Sequence, residues 1–230
     1  MAKDDVGALE HYERMIREID DPDHPVCDPF CAGFVKDWQS RWDAPAFYEA
    51  LGDVRDKDVL EIGVGTGRVA KNVLDLGCAR LVGIDISPST IERARSNLSD
   101  YQNVELVVAA IESFRRDISF DVAYSVLTFM HVEHKRTALS NIVASLRFGG
   151  HLALSVSYDG DWLDYGSRRV KLFPAAAEEY ATWLKRLGCE VAPPVNLVDS
   201  FVYADGKKSC RYGEVFSSVI KATKRTATHR

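Results

Sequence analysis

The residues best suited to chemistry lie in one stretch, Glu61-Ile62-Gly63-Val64-Gly65-Thr66-Gly67, followed by Asp85. Closely spaced glycines let the backbone turn tightly and let a ligand approach it. A helix starting directly behind such a turn presents unpaired N–H groups and a partial positive charge, which suit an anionic group. A carboxylate at the end of the next strand can accept hydrogen bonds from two ribose hydroxyls. Together these features ask for a nucleoside-bearing ligand with a negative group near the glycines. A dinucleotide fingerprint requires a third glycine where Arg68 stands, and Glu61 would crowd a pyrophosphate. S-adenosylmethionine (SAM) carries a carboxylate and an ammonium instead, and an acidic side chain beside the loop can serve that cation. The residue types favour SAM, with a dinucleotide or a purely structural glycine turn as alternatives.

Several other residues have chemical potential and an ordinary alternative. His131, after the fourth strand, faces the expected site and is the candidate general base; the alternative is a loop histidine at the start of the next helix. His134 is a lesser candidate of the same kind. Tyr158 and Asp159 follow the fifth strand on the substrate side. Tyr12 and Trp42 are placed to close over the ligand, although core packing explains such aromatics more often. Arg168, Arg169 and Lys171, and the run from Lys221 to Arg225, read as solvated surface, with docking of an anionic substrate group near Arg168 as the alternative. Cys27 and Cys31 with His24 nearby suggest zinc only weakly, because no second pair follows at ligand spacing, and no metal site is expected. The five cysteines are odd in number and irregular in spacing, which argues against a disulfide framework.

These residues need elements to hold them. Val59-Leu60-Glu61-Ile62 and Leu81-Val82-Gly83-Ile84 are short apolar runs ending in glycine or Asp85, as buried parallel strands do. Residues 67–76 read as a helix closed by Gly77. Ser87 is a good N-cap with Pro88 in the first helical position, and Ile91, Ala94 and Leu98 share one face. Residues 104–109 and 120–127 read as the third and fourth strands. A helix over 135–147 stops at Gly149-Gly150, and 152–156 is the fifth strand. A helix follows from Pro174 to Gly188. Residues 191–202 and 215–222 then read as two strands with no helix between them, so they must pair as an antiparallel hairpin. Strands alternating with helices imply right-handed βαβ units and an open sheet with helices on both faces, whose ligand lies beyond the carboxyl ends of the strands. Residues 1–55, broken at Pro22, Pro25, Pro29 and Pro45, read as an N-terminal helical cap over the site, and 56–230 as the main domain.

The segments VLEIGVGTG, GIDIS, FDVAYSVLTFMHV and LRFGGHLALSV, in that order, resemble class I SAM-dependent methyltransferases. The resemblance is strong over residues 56–157 and weaker beyond. It implies a doubly wound, mostly parallel, Rossmann-like seven-stranded α/β sheet with an antiparallel strand pair at its C-terminal end. It also implies SAM as cofactor, with Glu61 beside the loop, Gly63, Gly65 and Gly67 on the methionine part, Asp85 on the ribose, and Ile86 against adenine. Ile111 and Glu112 would border the adenine, and Ser125 to Leu127 would floor the reacting methyl. Where many relatives hold the adenine amino group with an Asp, this chain has Ala110.

The chain has 230 residues and a formal net charge of −5, which counts against nucleic acid as the main partner, since phosphate binding needs clustered Lys and Arg. The N-terminus lacks the apolar stretch of a signal peptide and no apolar run is long enough to span a bilayer, so no membrane partner and a cytoplasmic location are expected. The expected activity is methyl transfer to an O, N or C atom of a small-molecule acceptor. The rivals are an RNA or protein methyltransferase, a SAM-binding regulator without catalysis, and a nucleotide-dependent oxidoreductase.

Overall fold

A computed structural model describes residues 3–18, 29, 37–38, 40–157 and 160–225. The expected parallel strands are present where the apolar runs are: β2 (Asp58–Ile62), β3 (Arg80–Asp85), β4 (Val104–Val108) and β5 (Phe120–Val126). Val59, Leu60 and Ile62 of β2 are all buried, because helices cover both faces of the sheet. The main sheet has eight strands. Seven follow the order β10-β11-β6-β5-β2-β3-β4, with β6 at Leu146–Ser157, β10 at Val195–Val198 and β11 at Val215–Lys224. The eighth, β9 (Cys189–Val191), pairs with the far end of β11. Strand β11 runs antiparallel to β6, β9 and β10, as the missing crossover helix requires.

The chain leaves β2 toward β3 and β4 on one side and returns through β5 and β6 on the other, so β2 and β5 are neighbours at the point where the strand order reverses. The loops after these two strands therefore open into the same crevice. On one face lie α2 (Pro45–Leu51), α3 (Arg68–Asp75) and α4 (Pro88–Asn97), around Phe47, Val69, Val73 and Ile91. On the other lie α5 (Lys135–Ser145) and α6 (Ala177–Arg186), around Leu139, Ile142, Tyr180 and Leu184. Ser87 caps α4 as expected, its Oγ accepting from the Thr90 N–H at 3.1 Å.

Several expectations need correction: the sheet has eight strands where seven were expected, and the run expected as one strand over 191–202 is β9 and β10. The helix from 135 ends at Ser145, and Gly149-Gly150 does not stop it but lies within β6. Leu146 already pairs with Phe120, and the Arg147 guanidinium bonds Asp121 at 2.6 Å and Asp58 at 2.7 Å, so the strand starts early. The helix expected from Pro174 starts at Ala177. The stretch between the fifth strand and the next helix, where no element was expected, contains β7 (Trp162–Asp164) and β8 (Arg168–Lys171), which form a small second sheet with β1 (Asp4–Val6). β1 leads into α1 (Ala8–Arg17). The covering of the site is thus built jointly by the N-terminal residues and by chain from after β6.

Candidate active site

The strand ends and the covering elements enclose one cavity of about 650 Å³, within the range of roughly 300–1,000 Å³ typical of small-molecule sites. Glu61, Gly63, Gly65, Asp85, Ile86, Ile111, Glu112 and His131 all line it. Two residues expected at the site do not. Ser125 is buried in β5, and its Oγ donates to the Ile62 carbonyl at 2.8 Å, which ties the two central strands together. Gly67 is the N-cap of α3 at φ 94°, and a Cβ there would lie 2.9 Å from Leu98.

The three glycines have different reasons to be glycine. A Cβ on Gly63 (φ 73°) would lie 2.0 Å from Thr128 Oγ1, so this residue lets the loops after β2 and β5 touch. Gly65 (φ 55°) has nothing within 4 Å of a notional Cβ, and it faces the open cavity. Only Gly65 shows the bare backbone that a closely held ligand needs.

Asp85 organises this end. Its Oδ2 accepts from the Gly65 N–H at 3.0 Å and its Oδ1 from the Ser87 N–H at 3.0 Å. Burial raises its pKa against the opposing effect of these bonds. Each oxygen retains acceptor capacity toward the cavity. Glu61 is only 2% exposed, and accepts from the Tyr124 hydroxyl at 2.7 Å. Burial pushes its pKa up to about 8, although Tyr124 and Arg68 act in the other direction. A buried acid of this kind regains its charge when a cation comes beside it. Ile86 is 40% exposed, a free apolar face for a ring. Ala110 offers no side-chain acceptor, and its carbonyl already receives the Ser113 and Phe114 N–H groups.

Residues 60–154 match the methyltransferase domain family. The O-methyltransferase rstn1 of Aspergillus nomiae is 35% identical over 111 residues, covering 46% of this chain and 49% of that protein. The tRNA U34 carboxymethyltransferase of Alteromonas mediterranea is 25% identical over 169 residues, covering 67% of this chain and 51% of that protein. The N-methyltransferase NodS from Bradyrhizobium japonicum WM9, solved with S-adenosyl-L-homocysteine (SAH), shares the fold. Its TM-score is 0.67 at 20% identity, over 96% of this chain and 100% of that one. Residues 60–154 are thus similar to methyltransferase domains, and the whole fold is similar to that of a solved methyltransferase. The chain spans about half the length of these two curated relatives.

The cavity continues past the strand ends into a second chamber walled by distant segments. Arg41 lies 4.7–5.2 Å from the ring centres of Trp38, Trp42, Phe201 and Phe216. Its Nη1 donates to the buried Asp199 carboxylate at 2.6 Å. Asp199 also accepts from the Ser209 hydroxyl at 2.7 Å. Asp43 receives both bonds of Arg68, at 2.8 and 2.9 Å, which fixes the covering segment to the start of α3. The sequence carried no signal for Arg41 and Asp199, because the partners are 158 positions apart. Arg168 is not solvated surface: it is 1% exposed, bonds His11 Nδ1 at 2.9 Å and makes two bonds of 2.9 Å to Glu18, so its charge is already met within the chain. Lys221 and Lys224 stand in β11, with Lys224 Nζ donating to the Leu146 carbonyl at 2.7 Å. His134 takes the N-cap position of α5 without a side-chain cap bond. Tyr158, Asp159, His24, Cys27 and Cys31 lie outside the described residues. Among the described residues no helix is long and apolar enough to cross a membrane.

Proposed function

We propose that this methyltransferase moves the methyl group of SAM to a small-molecule acceptor held in the second chamber. On the cofactor side, Asp85 takes the ribose hydroxyls, Gly65 admits the methionine carboxylate, Glu61 answers the ammonium, and Ile86, Ile111 and Glu112 border the adenine. Gly63 and Gly67 shape the loop from behind. SAM supplies an electrophilic methyl on a cationic sulfur, so the protein's part is to bind, orient and exclude water. His131 is the candidate proton acceptor on the acceptor side.

The observation that carries this reading is the single cavity. It joins a bare glycine, the buried Glu61, the half-buried Asp85 and an exposed isoleucine at one end to an aromatic chamber at the other. Two arginines of the cavity wall, Arg41 and Arg68, are already paired with Asp199 and Asp43, which supports a small acceptor over a polyanion. The O-methyltransferase relative points the same way, and the tRNA-modifying relative marks the rival.

Calorimetric titration of the whole chain with SAM, SAH and NAD tests it. SAM and SAH are expected to bind at one site and NAD not to compete. NAD binding more tightly than SAM would overturn the cofactor assignment. Saturable binding of transfer RNA that SAH does not disturb, with SAH release on its addition, would overturn the small-molecule acceptor.

A further inference from the structure

Beside the groups assigned to the cofactor, the cavity wall holds a hydrogen-bonded pair of titratable side chains. Tyr12 on α1 and His131 after β5 both line the cavity. Their rings meet edge to face with centroids 5.4 Å apart, and the Tyr12 hydroxyl lies 3.0 Å from His131 Nε2. A phenol is the better donor and a neutral imidazole nitrogen the better acceptor, so on chemical grounds the hydroxyl donates and the ring proton sits on Nδ1. That Nδ1 is buried and has no partner among the described residues.

The helix that brings Tyr12 is fastened next to the cofactor end. Glu13 accepts from the Ser87 hydroxyl at 2.7 Å and the Ser89 N–H at 3.0 Å, at the start of α4, and Ser87 also bonds Asp85. On the other side, Arg168 holds His11 and Glu18. Asp85 and Tyr165 act electrostatically on Tyr12, and Lys135 acts on His131.

We propose that Tyr12 and His131 form a two-residue proton relay facing the transferred methyl, and that the acceptor is therefore a hydroxyl group. This rests on the methyl-transfer reading above. Burial, helped by Lys135, lowers His131 to about 4, so the ring is neutral at physiological pH and does not repel a sulfonium. So weak a base cannot strip an ammonium acceptor, which has no lone pair until its proton has gone. A hydroxyl already has one, and becomes strongly acidic as its new bond forms, so a weak base suffices. The acceptor oxygen bonds the methyl carbon while the carbon–sulfur bond breaks, its electron pair staying on sulfur. The acceptor proton passes to the Tyr12 oxygen as the Tyr12 proton moves to His131 Nε2. The positive charge lost from sulfur reappears on the imidazolium, and its proton returns through the Tyr12 hydroxyl to water that enters the cavity once the products leave.

The test uses the whole chain with nitrogen-15-labelled histidine. The His131 Nε2 resonance is expected to differ between the SAM and SAH complexes, since only SAM brings a positive charge beside it, and Tyr12→Phe is expected to move it in both. With catechol and benzylamine as probe acceptors and methyl-labelled SAM, label is expected on catechol. Tyr12→Phe should lower kcat by about 10²–10⁴-fold with KM for SAM unchanged. Identical His131 signals in the two complexes, label on benzylamine, or an unaltered kcat in Tyr12→Phe would overturn the relay. Failure of both SAM and SAH to bind is a different result, and removes the cofactor assignment instead.

Discussion

Glu61 gives the sharpest quantitative prediction, because its environment favours the proton before ligand arrives and the charge afterwards. In the folded, ligand-free chain its pKa stands near 8 against an ordinary 4.5. At pH 7 about one molecule in ten then carries the charge. If the methionine ammonium of SAM is held beside this carboxyl, binding must expel the proton from the rest. Titration at pH 7 in two buffers of different ionisation enthalpy should therefore show about 0.9 proton released per SAM or SAH, and Glu61→Gln should release none of it. Below pH 7 the apparent affinity should fall almost tenfold per pH unit, until other groups titrate. The folding side has a definite sign as well. The native state keeps a proton that the unfolded chain has lost, so this residue's effect on stability worsens as pH rises from 4.5 toward 8 and is constant above. The full difference is about 5 kcal/mol as an upper figure, from 1.36 kcal/mol per pH unit. Glu61→Gln keeps an acceptor for Tyr124 and should raise the melting temperature of the ligand-free chain at pH 8 but not at pH 4.5. Proton release equal in wild type and Glu61→Gln, with affinity flat between pH 5.5 and 7, would refute the assignment of Glu61 to the ammonium.

Three further outcomes are expected. Gly63→Ala forces a Cβ onto Thr128 and should destabilise by roughly 3 kcal/mol, whereas Gly65→Ala should lose only about 1 kcal/mol yet weaken SAH binding; thermal melts with and without SAH separate the two. Asp85→Ala removes acceptors for two ribose hydroxyls and should weaken SAM by about 100-fold, at about 1.5 kcal/mol per bond, and an unchanged dissociation constant by calorimetry counts against the ribose role. Arg41→Ala leaves the buried Asp199 carboxylate without its cation, and should destabilise by about 3 kcal/mol. Its SAH affinity should stay close to wild type, because Arg41 stands at the acceptor end, and equal loss of both in melts and titrations would place the cage at the cofactor instead.

The parallel core was legible because a strand buried on both faces has to be written as an unbroken apolar run, and because Ser87-Pro88 and Gly77 mark helix ends by backbone geometry that few other residues provide. The crevice followed from topology, and Asp85 from its place at a strand end. The small sheet was not legible. Its strands have three or four residues, and Asp4, Asp5, Arg168 and Arg169 in two of them show no apolar alternation. Arg168 looked like solvated charge because the groups that neutralise it, Glu18 and His11, are 150 and 157 positions away. Ser125 sat in the right motif, but alternation along β5 turns its hydroxyl to the neighbouring strand and away from the cavity. Gly149-Gly150 looked like a helix stop, and the competing pull of sheet pairing and of Arg147 won.

The two halves of the cavity are held by different physics, and this explains why one half could be read and the other could not. The proposed cofactor end is made of strand termini, whose positions are fixed by a continuous hydrogen-bonded sheet, so local spacing in the sequence translates directly into geometry. The proposed acceptor end is made of side chains from α1, Trp38, the 40–43 segment, the turn after β5, the small sheet and the 199–216 stretch, brought together by ion pairs and aromatic contacts. Sheet register ties the start of α1 to the small sheet through β1 and β8, and the other segments meet through side chains. Their residues can change without disturbing the strand ends proposed to hold the cofactor, provided that each buried charge keeps a partner. Tyr12 is the point where the halves meet. It stands on a helix tied to the cofactor end through Glu13, and its hydroxyl reaches His131 at the acceptor end. Anything that unseats α1 therefore acts on both halves together, whereas a change at Arg41 acts on one.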